Sequence, residues 1–194
     1  DLGHVFTGDC DDVGGIASLG VCGNARAAGV SCFRGGLEST ALRVFAHEVG
    51  HQFSASHTFG SGCDPDQLSP STAFEPVCGS SIMSYSGNPI PFFHSFSIQQ
   101  ITNYSRTGTG SGCASIVQVQ NNEPELTLNY PNGFYIPIQT PFELNATTTD
   151  ADNDALTYSW EQLDPDGALF PMLTPSNNPK RVFPNLNSIL NDFI

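Results

Sequence analysis

The spacing of apolar residues changes character twice along this chain of 194 residues. Short apolar and β-branched runs predict strands over residues 2–7, 15–19 and 27–33. From residue 37 to residue 53 the period becomes helical, with one apolar stripe formed by Leu37, Ala41, Val44, Phe45, Val49 and Phe53. A shorter helix is predicted over residues 97–104. The first part of the chain therefore has the pattern of an α+β domain.

From residue 126 onwards, short strand-like runs alternate with turns. The clearest runs cover residues 126–130, 142–147 and 156–160, and Trp160 is the expected core aromatic residue. This pattern is typical of a β-sandwich, but it supplies about five or six strands where such a sandwich needs about seven. We therefore predict a first domain over residues 1–115, a polar linker over 116–125, and an all-β domain over 126–194 that is incomplete at its C-terminus.

Charge and hydropathy argue against a nucleic-acid partner and against a membrane-spanning segment. Acidic side chains outnumber basic ones by 19 to 6, which gives a formal net charge of −13, so a nucleic acid is not an expected partner. No apolar run approaches the ~18 residues of a membrane-spanning helix. The first residues lack the basic and apolar regions of a signal peptide, so we expect the sequence to begin inside a longer chain.

All six cysteines precede residue 114, and none of them forms a CxxC pair. An even number of cysteines in a Lys-poor chain rich in Gly, Ser and Asn favours disulfides and an extracytoplasmic location, secreted or on the cell surface. The alternative is a set of six unpaired thiols in a cytosolic enzyme. Sequence alone permits about fifteen pairings. The cysteines are Cys10, Cys22, Cys32, Cys63, Cys78 and Cys113.

The strongest chemical signal lies at the end of the long helix. His47 and His51 are one helical turn apart, about 6 Å along the axis and within about 40° of the same face, so that both can bind one metal ion. His57 would point about 240° away if the helix continued, so the chain must break and fold back after Phe53. Three histidine ligands with one open position are typical of a catalytic zinc site.

Glu48 follows the first histidine and is held too close to its own helix to be a fourth ligand. In an HExxH motif this glutamate is the candidate general base. The alternative for the whole segment is a buried helix whose histidines are satisfied within the core. His94, which precedes the second predicted helix, is expected to be a packing or capping residue rather than a ligand.

Three aspartates in the second half form a further candidate site. Asp150, Asp152 and Asp154 alternate within residues 149–154 and could hold a calcium ion. A plain acidic turn explains the same pattern equally well.

The segment from His47 to His57, followed by Ser81-Ile82-Met83-Ser84-Tyr85, resembles the metzincin metalloproteases, with their long zinc helix and Met-turn. Within that clan, residues 2–7, 15–19, 27–33 and 46–59 resemble the reprolysin (adamalysin-like) branch. Residues 73–76 and 92–98 are similar to secreted bacterial members from the Bacteroidetes. One position departs from the family pattern, because Ser54 stands where the family has Gly, which suits a left-handed helix break.

The resemblance implies a fold and further roles. The fold would be the C-terminal part of a metzincin catalytic domain, with mixed-sheet edge strands, a zinc helix and a C-terminal helix, followed by an incomplete Ig- or cadherin-like sandwich. Part of the catalytic domain would then precede Asp1. The segment Gly15, Ile16 and Ala17 matches the edge strand that pairs with an extended peptide substrate. Met83 would form the hydrophobic floor beneath the zinc.

Tyr85 matches a tyrosine that ligates zinc or stabilises the transition state in some metzincins, although reprolysins usually lack it. By the same analogy the disulfides would join Cys22 to Cys113, Cys63 to Cys78 and Cys10 to Cys32. Residues 150–162 resemble Ig- or cadherin-like domains of bacterial surface proteins.

The function that this reading predicts is zinc-dependent hydrolysis of peptide bonds in a polypeptide substrate, with Glu48 as general base. A second hypothesis is a catalytically idle metzincin fold that serves as a binding or structural module in a cell-surface assembly. A third, hydrolysis of a non-peptide substrate, is allowed by the same chemistry.

Overall fold

The structure is a computed structural model, and it describes residues 2–9, 14–22, 28–33, 39–87, 90–129, 137, 140–163, 165, 176–177 and 179–183. The chain divides into two compact units, Asp1–Ser115 with Leu163–Met172, and Ile116–Gln162 with Leu173–Ile194. No helix in the described part of the chain is long and apolar enough to span a membrane.

A small mixed sheet forms one side of the first unit. Its strands are β1 (Gly3–Thr7), β2 (Gly15–Ala17) and β3 (Ala28–Cys32), in the order β1-β3-β2. β1 runs parallel to β3, and β2 runs antiparallel to it. The three strands predicted from the sequence are confirmed, each slightly shorter than its apolar run. β2 lies at one edge of this sheet.

The helix α1 (Ser39–Gln52) packs across β3 and β2. Ala41, from its apolar stripe, is buried. The last residue of the helix, Gln52, is fully buried, and its Nε2 donates to the carbonyl oxygen of Gly3 at 2.8 Å. The predicted helix is confirmed, although Leu37 lies outside the described residues. Its C-terminal end is anchored to the sheet through Gln52.

A small apolar cluster packs against α1 through Ala46. Ala55, Ile82 and Met83 form a buried cluster, with Ala46, Phe93 and Ile101 packed against it. A short 3-10 helix covers Pro70–Thr72, and a second covers Thr109–Cys113. The loop that contains Ile82 lies on the side of α1 that carries His47, because the Ile82 carbonyl oxygen is 2.7 Å from Nδ1 of that histidine.

The second helix, α2 (Ser95–Arg106), is longer at both ends than its predicted range. His94 is its N-cap: the ring nitrogen Nδ1 accepts a hydrogen bond from the backbone of Phe96 at 3.2 Å. The ring is buried and stacks on Phe74. The predicted packing and capping role of His94 is therefore confirmed.

Two of the three expected disulfides are present in the first unit. Cys22 is joined to Cys113, across 91 residues, and Cys63 is joined to Cys78, across 15. The third expected pair includes Cys10, which lies outside the described residues. The pairing inferred from the family resemblance is confirmed for the two bridges that can be examined.

The second unit contains an antiparallel sheet of β4 (Glu125–Leu128), β5 (Phe142–Thr149) and β6 (Lys180–Phe183), in that order. The side chains of Leu144 and Ala146 in β5 are buried. A β-sandwich needs more strands than the three of this sheet. The predicted sandwich therefore stays a prediction.

One predicted strand of the second unit is wrong. Within residues 156–160 only Tyr158 forms a β-bridge, with Ser176, and the residues around it have no strand pairing. The aromatic and β-branched composition of residues 156–160 suits a strand, but a strand also needs a neighbouring segment that pairs with it along its length. Trp160 is half-buried rather than enclosed. β6 was not predicted, because Lys180-Arg181-Val182-Phe183 shows no alternation of polar and apolar residues.

Candidate metal centre

The three histidines of the motif converge on one point. The Nε2 atom of His57 lies 3.0 Å from Nε2 of His51 and 3.3 Å from Nε2 of His47. Each ring offers one atom to a group whose members lie within 4.8 Å of one another. His47 and His51 come from successive turns of α1, and His57 comes from the segment that follows it.

A left-handed turn at Ser54 brings His57 back to the helix. Ser54 has a φ of 69°. Its backbone N–H donates to the carbonyl oxygen of His51 at 2.8 Å, and the N–H of Ala55 donates to that of Gly50 at 2.9 Å. These two bonds form a Schellman motif, which satisfies carbonyls at the end of a helix. The predicted break after Phe53 is confirmed, with serine in a conformation that usually requires glycine.

Backbone carbonyl groups fix the protonation of all three rings. The Nδ1 atoms of His47, His51 and His57 lie 2.7, 2.7 and 2.8 Å from the carbonyl oxygens of Ile82, Ala55 and Gln67. Because a carbonyl oxygen can only accept, each Nδ1 carries the proton and each Nε2 presents a lone pair.

Three lone pairs that face one another at this distance repel unless a cation lies between them. Neutral imidazole nitrogen is a preferred zinc ligand, and a hydrogen bond on the second ring nitrogen is the usual support for it. The donor set of this site therefore fits a zinc ion held by three protein ligands.

Burial keeps the ligand rings neutral. Burial, together with the neighbouring His51, lowers the pKa of His47 to about 3. Burial likewise lowers the pKa of His51 to about 4 and lowers that of His57. A metal ion competes with protons for these nitrogens, so groups with such low proton affinity are ready to bind one at neutral pH.

Glu48 directly follows His47, and its carboxylate lies against the edge strand β2. Its side chain is 5% exposed, and burial raises its pKa to about 7. A Cβ atom at Gly15 would lie only 2.6 Å from Oε1 of Glu48. The absence of a side chain at Gly15 is therefore what leaves room for this carboxylate.

The edge strand also offers free backbone groups next to Glu48. The carbonyl oxygen of Gly14 accepts from Cys32, and the N–H of Ser18 donates to Ala28. Because hydrogen-bonded residues alternate along an antiparallel strand, Gly15 and Ala17 direct their backbone groups away from β3. No other strand in the described part of the first unit pairs with this edge. The side chain of Ile16 is 68% exposed.

Met83 and Tyr85 both lie close to residues of the histidine motif. Met83 is fully buried, and its Sδ would be 2.5 Å from a Cβ at Gly50, the residue that precedes His51. The ring of Tyr85 lies 4.7 Å from that of His57 and 4.6 Å from that of Phe59, measured between centroids. Burial raises the pKa of Tyr85 to about 12, with smaller contributions from Asp64 and Glu48.

Sequence reasoning missed three residues that support the centre. Gln67 supplies the carbonyl for His57, and the Thr72 hydroxyl donates to the carbonyl oxygen of His57 at 2.5 Å. Glu75 is a buried carboxylate that accepts several hydrogen bonds from the segments on either side. An acidic residue within the otherwise apolar run of residues 73–76 is a signal that could have identified it.

The aspartates of the second unit also lie together. The carboxylate oxygens of Asp150, Asp152 and Asp154 are within 4.8 Å of one another. Oδ1 of Asp150 accepts from the backbone of Asp152 and Asp154, and Asp152 accepts from the backbone of Asn122. The same bonds are also expected of an acidic turn without an ion, so calcium binding at these aspartates stays a prediction.

The first unit can also be compared with known proteins. No curated protein and no solved structure matches the chain. Residues 1–105 match the family described as Metallo-peptidase family M12, and this stretch contains the three histidines and Glu48. It covers more than half of the 194 residues. The match and the convergent histidines lead to one conclusion, that the chain belongs to metallo-peptidase family M12.

Proposed function

We propose that the chain is a secreted or cell-surface zinc endopeptidase that hydrolyses peptide bonds in extended polypeptides. The observation that carries the proposal is the convergence of three unprotonated Nε2 atoms, in a motif whose first histidine is followed by the buried carboxylate of Glu48. His47, His51 and His57 would hold the zinc. Bound zinc supplies Lewis acidity toward a water molecule and the scissile carbonyl group.

Glu48 is the general base in this proposal. It accepts a proton from the attacking water and delivers it to the leaving nitrogen. A general base works best when its pKa is near the working pH, and burial brings the pKa of Glu48 to about 7. Its position against Gly15 places the carboxylate at the edge strand β2.

Tyr85 donates its phenolic hydroxyl to the developing oxyanion. The phenol keeps its proton at neutral pH, because burial moves its pKa away from that range. Its ring is held against His57 and Phe59. A preorganised donor of this kind stabilises the charge that forms during acyl transfer.

The substrate would bind as an additional strand along β2. Gly15 and Ala17 present backbone groups for such pairing, and main-chain hydrogen bonds are independent of the substrate's side chains. Because Gly15 also contacts Glu48, a peptide on this edge passes beside the base. Met83 supports the site from below as a buried apolar floor.

The decisive experiment is digestion of an unfolded protein such as casein by the purified chain, before and after treatment with a chelator. We expect chelation to abolish cleavage and added zinc to restore it. The Glu48→Gln variant should bind about one zinc per chain yet lose at least ~10²-fold in turnover. Undiminished proteolysis by Glu48→Gln would contradict the role of the base.

A second candidate function is a catalytically idle binding module in a surface assembly. The observation that favours it is Ser54, which departs from glycine at the turn that places His57. The buried carboxylate of Glu48 opposes it, because a scaffold does not need a base beside its metal. Zinc binding at one per chain without any cleavage would support this second function.

Further parts of the proposal concern the location of the protein, its branch within the family and the second unit. The two disulfides favour an extracytoplasmic location. The bacterial branch and the Ig- or cadherin-like character of the second unit are expectations from the resemblance alone. Calcium binding by Asp150, Asp152 and Asp154 stays a prediction.

A further inference from the structure

We propose that Glu75 is a positioning residue of the metal centre, a buried carboxylate that fixes the chain segments supporting the first and third histidines. This inference rests on the proposed zinc function. The Glu75 side chain is 2% exposed and lies outside the HExxH segment. The hydrogen bonds of its carboxylate go to residues other than the three ligand histidines. Its effect is therefore exerted through the backbone that holds those rings.

One group of bonds holds the segment that carries His57. Oε2 of Glu75 accepts from the Thr58 hydroxyl at 2.5 Å. The backbone N–H of Glu75 donates to the carbonyl oxygen of Thr58 at 2.9 Å, and the N–H of Thr58 donates to Met83 at 3.1 Å. Thr58 directly follows His57, so these bonds set the position of the third histidine's backbone.

A second group holds the segment that orients His47. Oε1 of Glu75 accepts from the backbone N–H groups of Ser80 and Ser81 at 2.7 and 2.9 Å. Oε2 accepts from the Ser81 hydroxyl at 2.5 Å. The next residue, Ile82, provides the carbonyl that receives the Nδ1 proton of His47. One carboxylate thus connects the support of two ligands that are ten residues apart in the chain.

The chemistry explains why a carboxylate occupies this position. A buried carboxylate is strongly unfavourable unless its oxygens accept several hydrogen bonds, and both oxygens of Glu75 do so. Hydrogen bonds to a charged acceptor are shorter and roughly twice as strong as those between neutral groups. A charged centre that collects donors from two segments therefore holds them more firmly than apolar packing would.

The inference can be separated from a general role in stability by measuring zinc affinity rather than proteolysis. Two variants of Glu75 are informative. In Glu75→Gln the amide oxygen can keep the two backbone donors, and the amide nitrogen faces the hydroxyls of Thr58 and Ser81, which can rotate to accept. The network stays connected but loses its charge. Glu75→Ala removes the network.

The full chain is tested by competition of zinc with a chromophoric chelator and by the visible spectrum of its cobalt derivative. Partners that orient metal ligands typically account for about 10–100-fold in affinity. We expect Glu75→Ala to bind zinc more weakly within that range, and Glu75→Gln to bind it about threefold or more weakly with altered cobalt bands. If the Glu75→Ala variant does not fold, the zinc affinity and cobalt spectrum of Glu75→Gln test the inference on their own.

Two controls make the result specific. Leu144→Ala opens a cavity at a buried position of β5 in the second unit, outside the segments that hold the ligands, and should lower thermal stability while keeping zinc affinity within about twofold of wild type. Glu125→Gln makes the same chemical change on an exposed residue of β4 and should alter neither.

The two possible failures are distinct. A wild-type chain that binds no zinc would overturn the proposed function and with it this inference. A wild-type chain that binds zinc, together with a folded Glu75→Gln variant of unchanged affinity and unchanged cobalt spectrum, would overturn the role of Glu75 alone.

Discussion

His51 donates its Nδ1 proton to the carbonyl oxygen of Ala55, across the turn that ends its own helix, with 2.7 Å between the two atoms. That carbonyl lies one residue beyond Ser54, whose left-handed backbone makes the turn. The orientation of a ligand ring is therefore coupled to the conformation of Ser54. A change that disturbs this turn should alter metal binding as well as stability.

The free energy of unfolding should be highest with glycine at position 54, lower with the natural serine and lowest with valine. A left-handed residue with a Cβ costs about 1–2 kcal/mol, while the greater freedom of glycine in the unfolded chain costs about 0.5–1 kcal/mol. Ser54→Gly should therefore raise the free energy of unfolding by about 0.5 kcal/mol. Ser54→Val should lower it, because a β-branched residue is rarely found in this conformation.

Chemical denaturation and zinc titration of both Ser54 variants check this expectation. Zinc affinity should be unchanged in Ser54→Gly and reduced in Ser54→Val. Equal stability of the glycine and valine variants would contradict the strain assigned to the turn.

Adding one methyl group at Gly15 should displace the carboxylate of Glu48, the proposed general base. The new Cβ would lie 2.6–2.8 Å from three atoms of Glu48, which is well inside van der Waals contact. A misplacement of about 1 Å at a reacting group can lower a rate about 10²-fold. We expect Gly15→Ala to lose turnover while its zinc affinity stays within about twofold of wild type, as measured by peptide cleavage and chelator competition.

Gly14→Ala is a matched control for this experiment. A Cβ at Gly14 would meet Cγ2 of Val44 at 3.5 Å, an ordinary contact. Its activity should be close to that of the unmodified chain. Similar losses in both variants would show that the strand, rather than the Glu48 carboxylate, is sensitive to substitution.

Replacing Tyr85 with phenylalanine separates the hydroxyl from the ring. Tyr85→Phe keeps the packing against His57 and Phe59 and removes the proposed oxyanion donor. Loss of one such donor typically lowers kcat by about 10²–10³-fold. We expect a fall toward that range with little change in KM or zinc affinity, and an unchanged kcat would exclude the donor role.

The two disulfides should differ in what they stabilise. Removing the Cys22–Cys113 bridge should cost about 4–5 kcal/mol in unfolding free energy, and removing Cys63–Cys78 about 3 kcal/mol, because the second closes a shorter loop. The shorter loop, however, contains Gln67, which orients His57.

Paired Cys→Ser variants therefore should show opposite rankings in denaturation and in zinc titration. Loss of Cys63–Cys78 should weaken zinc binding more than loss of Cys22–Cys113 does. The reverse order in zinc affinity would show that Gln67 keeps its place without the bridge.

Local spacing was sufficient to predict the ligands of the centre and the break between them. Two residues four apart on a helix share a face, and a third residue six positions later cannot join them without a turn. Those are rules of backbone geometry, so the shared face of His47 and His51 and the break after Phe53 followed from the sequence. The left-handed conformation of Ser54 agreed with the family resemblance. The burial of Met83 agreed with the family resemblance in the same way.

The supporting interactions could not be predicted, because they depend on tertiary structure. Every residue carries a carbonyl, and nothing in the sequence singles out Gln67 or Ile82 as the acceptor for a histidine. The partners of Glu75 come from segments on both sides of it. In the second unit, a strand-like composition around Tyr158 did not become a strand, since composition does not specify a pairing partner.

The acceptors that orient the three histidines are all peptide carbonyls, and this has an evolutionary consequence. All twenty amino acids keep a carbonyl group, so no point mutation at Ile82, Ala55 or Gln67 can delete the acceptor itself. Side chains around the metal can change toward new substrates, while the backbone carbonyl groups continue to fix the tautomer of each histidine ring. The acceptors at these three positions are thus insensitive to a change of side chain, and variation can accumulate on the surfaces that meet substrate.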